Sequence, residues 1–255
     1  MDAQAGLILF GAGLAGGVVT AIVGGASLIT FPALLAAGLP PIIANASNTV
    51  AMTPGNLMAG LADLERRPRW DRSLLGLLMV CVGGSVAGAL LLLVTPEKAF
   101  TAVIPLLIGF ATVLFAQSGR LRHWILSRPA GAAHVARGSG ALWFVPVAIY
   151  GGYFGAGMSV MLLALLSVSR GDDLRATNVL KNLLSALTGV VAVAVFLVKG
   201  MVAWPFTLAM MAGALLGGFL GGRLVRVLPT EVVRVIVIAA GAVLTLVYAW
   251  RYWLR

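Results

Sequence analysis

Four polar residues in an otherwise apolar stretch could do chemistry together. Asn178, Lys181, Asn182 and Ser185 lie in DDLRATNVLKNLLSALT (172–188), within a segment that stays apolar as far as Val198. On a helix, their spacing of i, i+3, i+4 and i+7 puts them on one stripe. An ammonium flanked by amide and hydroxyl donors, with no carboxylate in the stripe, is the chemistry of an anion site. A lysine at the centre of a membrane helix costs roughly 2.5 to 3.5 kcal/mol and is tolerated where it faces a cavity or a partner. The structural alternative is a lysine that snorkels to a headgroup or packs in a polar seam.

A related set stands in the first half. NASNT (45–49) places Asn45 and Asn48 on one helix face with Met52 and Asn56. Each polar set follows a glycine-containing break, GGAS at 24–27 and AGMS at 156–159. Gly24, Gly25 and Gly157 would let the backbone unwind and approach a ligand. Ser27 and Ser159 add a hydroxyl just beyond each break. A helix that starts at such a break offers free N–H groups and a positive dipole end to an anion. The plainer reading is that these small residues only let helices pack closely.

The elements that must hold these residues are membrane helices. The 255 residues are 60% hydrophobic and 10% charged, with a mean hydropathy of +1.03. A soluble domain with that balance would have too little polar surface to cover itself. The apolar stretches are continuous rather than alternating, which disfavours a β-barrel. The net charge of +10 does not point to nucleic acid, because the basic residues other than Lys181 lie in loops, tails or segment ends, as the positive-inside bias requires. The single cysteine, Cys81, excludes an internal disulfide and a cysteine-based metal cluster. His123 and His134 read as solvated loop residues without metal-ligating partners. The N-terminus lacks a basic leader region, so no cleaved signal peptide is expected.

Along the chain, apolar segments are expected at 5–23, 28–37, 42–62, 73–94 and 99–116, followed by a long basic loop at 117–140. The piece at 28–37 is too short to span and contains Pro32, which suggests a broken or re-entrant helix. Pro41 suits the first position of the next helix, and Pro54–Gly55 is expected to kink it. Trp70 reads as an interface anchor. The second half then repeats the first. AGMS follows GGAS by 132 residues, ATNVLKN (176–182) follows ANASNTV (44–50) by 132, and GGFLGG (217–222) follows GGSVAG (83–88) by 134. Trp204 and Pro229 follow Trp70 and Pro96 by 134 and 133. Ordered landmarks with so small a drift indicate an internal duplication, a common build for secondary transporters.

The expected fold is therefore an all-α polytopic integral membrane protein of two homologous repeats, with about eight hydrophobic helical segments including broken or re-entrant ones. Residues 1–116 form the N-terminal repeat, 117–140 a cytoplasmic basic linker and 141–255 the C-terminal repeat. Four arginines in 63–72 and four in 117–140, against Lys98 alone in 95–98, place those two loops in the cytoplasm. The weaker count in the second half favours an inverted pseudo-two-fold, and parallel repeats stay open.

The GGAS–apolar–FPALL run, the GLPP turn at 38–41, the ANASNT stretch and RATNVLKNLLSALTGVVAVAVF (175–196) together resemble the TauE/SafE family, also called the toluene sulfonate uptake permease family. The resemblance covers nearly the whole chain. It implies two repeats and transport of sulfite, a sulfonate, thiosulfate or a related anion across a bacterial inner membrane. Lys181 would supply charge to such a ligand. Asn45, Asn48, Asn178 and Asn182 would supply donors, and Ser27, Ser159, Gly25 and Gly157 would complete the shell. An anion channel using the same cavity and an accessory membrane subunit are the rival readings. Ser185 lies one helical turn from Lys181, a spacing open to a nucleophile–base pair, but nothing else marks an enzyme and none is expected. The expected partners are a small oxyanion and the lipid bilayer, with a homodimer left open. No nucleic acid, cofactor or metal is expected.

Overall fold

The structure, a computed structural model, describes residues 2–22, 25–61, 72–127, 140–169, 174–224 and 230–254. Among them are ten α-helices: α1 (Ala3–Ile22), α2 (Ser27–Ala36), α3 (Pro41–Leu61), α4 (Arg72–Val94), α5 (Glu97–Leu126), α6 (Phe144–Tyr153), α7 (Met158–Ser169), α8 (Leu174–Val198), α9 (Trp204–Leu224) and α10 (Thr230–Trp253). A 3-10 turn, Gly140–Trp143, leads into α6. Six of the helices are long and apolar enough to cross a membrane, namely α1, α4, α5, α8, α9 and α10. The apolar helices α2, α6 and α7 are too short to do so unbroken. This is the architecture of a multi-pass membrane protein.

Local sequence explains most of the boundaries. α3 opens on Pro41, whose missing N–H costs nothing in a first turn. α2 closes where Gly38 takes φ +88, with Leu39 N–H bonded to the Leu34 carbonyl and Gly38 N–H to that of Leu35. That pairing satisfies carbonyls that would otherwise end in an apolar medium. Along the helices, threonine hydroxyls bond back to the carbonyl four residues earlier, as Thr49 does to Asn45 and Thr112 to Ile108. Such bonds let hydroxyls be buried without an orphaned donor.

One expectation changes. The helix α5 continues to Leu126, ten residues past the expected end of its apolar segment at 116. Gln117 to Leu126 are therefore helix rather than loop, and Arg120, Arg122 and the exposed His123 are borne on it. Hydropathy falls at Gln117 while helix propensity does not, so the span and the helix end at different places. Pro54 lies inside α3, which continues to Leu61, as a helix kinked there also would. Trp70 and His134 lie outside the described residues.

Packing is arranged around paired helices. α1 lies along α9 and α4 along α6; α3 crosses α8, and α5 meets α10. Glycines make the first two approaches possible. A Cβ at Gly13 or Gly17 would collide with the backbone of Met210 or Ala214 on α9, and one at Gly213 or Gly217 with the carbonyls of Phe10 or Leu14 on α1. On the other seam, a Cβ at Gly88 would meet the Ile149 carbonyl and one at Gly152 the Ser85 carbonyl. Without a hydrophobic drive between helices in lipid, such close backbone contact is what holds them together. Phe31, Phe100, Phe115 and Phe196 are fully buried and belong to one apolar cluster.

Candidate functional site

The two breaks fall where the glycines are. Gly25, between α1 and α2, has φ +85, and Gly157, between α6 and α7, has φ +81. Both values lie in the left-handed region that a residue with a Cβ resists. Gly24 lies outside the described residues. Both breaks press on α5. A Cβ at Gly25 would stand 2.9 Å from the Phe115 ring, and one at Gly157 would stand 3.4 Å from Ala111 Cα. Ala111 and Phe115 are one turn apart, so the two breaks approach one stretch of α5. The edge of Phe31 on α2 meets Phe154 at the second break, with ring centroids 5.3 Å apart.

Ser27 is the first residue of α2 and partly exposed. Its Oγ lies 3.2 Å from Asn48 Nδ2, and Asn48 Oδ1 lies 2.6 Å from Thr30 Oγ1. This joins two expected site residues, Ser27 and Asn48, through α3. It also adds Thr30, which the sequence reading left out. The signal for Thr30 was present as the i, i+3 spacing from Ser27, which sets both hydroxyls on one face of α2. Asn45 is turned elsewhere. Its Nδ2 donates to the Tyr153 carbonyl at 2.8 Å, at the end of α6. Its Oδ1 is buried and has no hydrogen-bond partner among the described residues.

The second-half residues share the helix α8. Ser159 Oγ, in the first turn of α7, lies 3.4 Å from Ser185 Oγ. Lys181 is partly buried one turn before Ser185, and no hydrogen bond or ion pair joins it to a described residue. Asn182 is partly buried and has a partner of its own, while Asn178 is exposed. The stripe therefore runs from an exposed end at Asn178 to a buried end at Ser185. No hydrogen bond links this group to the Ser27–Asn48 pair. Arg234, on α10, donates to the Ala116 carbonyl at 2.7 Å.

A family model described as "Sulfite exporter TauE/SafE" matches residues 9–248. The chain belongs to the TauE/SafE family. A "Probable membrane transporter protein" of Haemophilus influenzae is 29% identical over 239 residues, covering 93% of this chain and 92% of its own. "Probable membrane transporter protein YfcA" of Escherichia coli K12 is 28% identical over 240 residues, covering 93% and 87%. "Probable membrane transporter protein ORF9" of a Sinorhizobium species is 26% identical over 249 residues, covering 93% and 90%. No solved structure matches the chain.

In this TauE/SafE protein the arrangement offers donors in abundance, and no ion pair to a carboxylate is made there among the described residues. Each break opens a helix start whose backbone N–H groups are not all spoken for. No described acceptor takes the N–H of Ser27 or of Ser159. Hydroxyls of Ser27, Ser159 and Ser185 stand beside those starts, and Lys181 adds a cation. No three His, Cys, Asp or Glu side chains gather among the described residues in a way that could hold a metal ion.

Proposed function

We propose that the chain is a secondary transporter that moves a small sulfur-containing oxyanion, such as sulfite, a sulfonate or thiosulfate, across the bacterial inner membrane. The observation that carries the reading is the pair of helix breaks, at Gly25 and Gly157, each opening a helix start beside a serine hydroxyl. Lys181 supplies the charge for the anion. Ser27, Ser159, Asn48, Asn178 and Asn182 supply donors, and the free N–H groups at the breaks complete the shell. Asn45 serves the same site by fixing the end of α6.

Alternating access around a midplane site follows from two related halves. The order of helix contacts supports that relation. With α1–α5 matched to α6–α10, the seam α1/α9 exchanges with α6/α4, and α3/α9 exchanges with α8/α4. α2/α10 exchanges with α7/α5, while α3/α8 and α5/α10 map onto themselves. The starts of α2 and α7 are 131 residues apart, those of α4 and α9 132, and those of α5 and α10 133.

The test is anion binding by purified protein. Sulfite, thiosulfate, sulfate, a sulfonate and a carboxylate are titrated against the wild type and Lys181→Ala, reading the unfolding midpoint. A ligand that binds only the folded state stabilises it by RT ln(1 + [L]/Kd). Stabilisation of the wild type by a sulfur oxyanion, lost in Lys181→Ala, supports the site, and counter-transport in vesicles then separates a carrier from a channel. A mutant that binds and transports like the wild type would sink the assignment of Lys181.

A further inference from the structure

The hydrogen bonds around Ser27 have a direction, and the direction decides what Ser27 can bind. Thr30 and Asn48 are 0% and 2% exposed, so water does not compete for them. An amide oxygen only accepts, so at 2.6 Å Thr30 gives its one proton to Asn48 Oδ1. The alternative acceptor for that proton, the Ala26 carbonyl, is farther away at 3.1 Å. An amide nitrogen only donates, so Ser27 Oγ accepts from Asn48 Nδ2 at 3.2 Å. The proton of Ser27 is then unspent, at a helix start and beside the turn at Gly25.

The opposite arrangement is also chemically complete. With the amide turned over, Asn48 donates to Thr30, Thr30 donates to the Ala26 carbonyl, and Ser27 gives its proton to Asn48 Oδ1. Ser27 then presents only lone pairs outward, which repel an oxyanion. What holds the first arrangement is the short contact from the Thr30 hydroxyl.

We infer that Thr30 is a positioning residue: acting through Asn48, it keeps Ser27 a hydrogen-bond donor toward an oxyanion at the first break. This rests on the anion-site reading above. Thr30 itself touches no ligand. Replacing it with valine keeps the shape and removes the proton that Asn48 Oδ1 needs. Neither orientation of the amide is then complete: as it stands Oδ1 lacks a donor, and turned over its NH2 faces the valine without an acceptor, so the preference is lost and Asn48 takes the proton of Ser27 in part of the molecules.

The experiment is a double-mutant cycle on the purified protein, with sulfite and thiosulfate as probes and the unfolding midpoint as the readout. Thr30→Val is expected to weaken the apparent affinity by up to about tenfold, the worth of one hydrogen bond to a charged ligand. Its midpoint without anion should fall, because either orientation leaves one buried amide group unpaired, and Thr30→Ser should restore both midpoint and affinity. Ser27→Ala/Thr30→Val should bind no more weakly than Ser27→Ala alone, because both changes remove the same proton. Should valine prevent folding, Thr30→Ala and Ser27→Ala/Thr30→Ala carry the same expectations. Wild-type affinity in both Thr30 variants, or additive losses in the double mutant, overturns the role of Thr30 alone. A wild type that no anion stabilises overturns the anion site and this inference together.

Discussion

The amide nitrogen of Asn45 donates to the carbonyl of Tyr153 at 2.8 Å, tying a helix of the first half to the end of a broken helix in the second. Tyr153 is the last residue of α6, so its carbonyl is one that no later turn can satisfy. Asn45 is 1% exposed, so water cannot take over. Asn45→Ala is expected to destabilise the protein by about 1–3 kcal/mol, the cost of a buried acceptor left alone. Thermal unfolding in detergent checks this. Because the bond holds the end of α6, limited proteolysis of the variant should cut at the break after α6 faster than in the wild type. Equal digestion rates would show that the bond does not hold the break.

The two break glycines are not equally demanding. Both have left-handed backbone, which costs a non-glycine residue about 1–2 kcal/mol. At Gly157 the added Cβ would find ordinary contact, 3.4 Å from Ala111 Cα. At Gly25 it would stand 2.9 Å from the buried Phe115 ring. Gly25→Ala should therefore lower the unfolding midpoint more than Gly157→Ala. Phe115→Leu added to Gly25→Ala should recover part of the difference, although it costs stability on its own. A double mutant worse than the sum of the two singles would contradict the contact as its cause.

These contrasts show what the sequence made legible. The breaks at Gly25 and Gly157 could be read directly, because glycine and proline act through backbone geometry that neighbours cannot override. The boundaries of α1, α3 and α4 follow hydropathy within a residue or two. The run of α5 to Leu126 does not, since a helix leaving the membrane keeps its backbone bonds after its side chains turn polar. Within the site, periodicity grouped Asn178 with Lys181 and Ser185 correctly on one stripe of α8. It carried no information on which end of that stripe is buried. Nor could it show that Asn45 and Asn48, on one face of α3, serve different partners: Tyr153 on α6 and Ser27 with Thr30 on α2. Those pairings belong to tertiary contact, 108 and 21 residues apart in the chain.

Charge and shape at Lys181 can be separated. Its ammonium has no carboxylate partner among the described residues, so substitution strands no anion among them. Lys181→Gln should fold as well as the wild type, or better, because a neutral amide is cheaper in the membrane than a cation. The same change should weaken binding of a singly charged oxyanion by about tenfold or more, as loss of a charge-assisted hydrogen bond does. Lys181→Arg should keep more of the affinity than Lys181→Gln. Isothermal titration and unfolding on the same preparations would test both statements, and a Gln variant that loses stability while keeping affinity would assign Lys181 to packing instead.

The glycine seams make a prediction about stability that leaves ligand selection alone. On α9 the neighbours Gly217 and Gly218 differ in surroundings: a Cβ at Gly217 would collide with the Leu14 carbonyl, and one at Gly218 would meet nothing within 4 Å. Gly217→Ala forces α1 and α9 apart along their whole contact and should cost about 1–3 kcal/mol, as overpacking does. Gly218→Ala adds a methyl to open space and removes backbone freedom from the unfolded chain, so it should be neutral or stabilise by about 0.5–1 kcal/mol. Gly88 and Gly83 on α4 form the same contrast, since a Cβ at Gly88 would strike the Ile149 carbonyl and one at Gly83 would meet nothing within 4 Å. The atoms that a Cβ would meet belong to Leu14, Ile149 and Tyr153 and not to Ser27, Ser159 or Lys181, so the ratio of sulfite to sulfate stabilisation should not move in any of the four variants. A change in that ratio in Gly217→Ala or Gly88→Ala would mean that the seams bend with the site, and that α1/α9 and α4/α6 take part in shaping the cavity rather than only framing it.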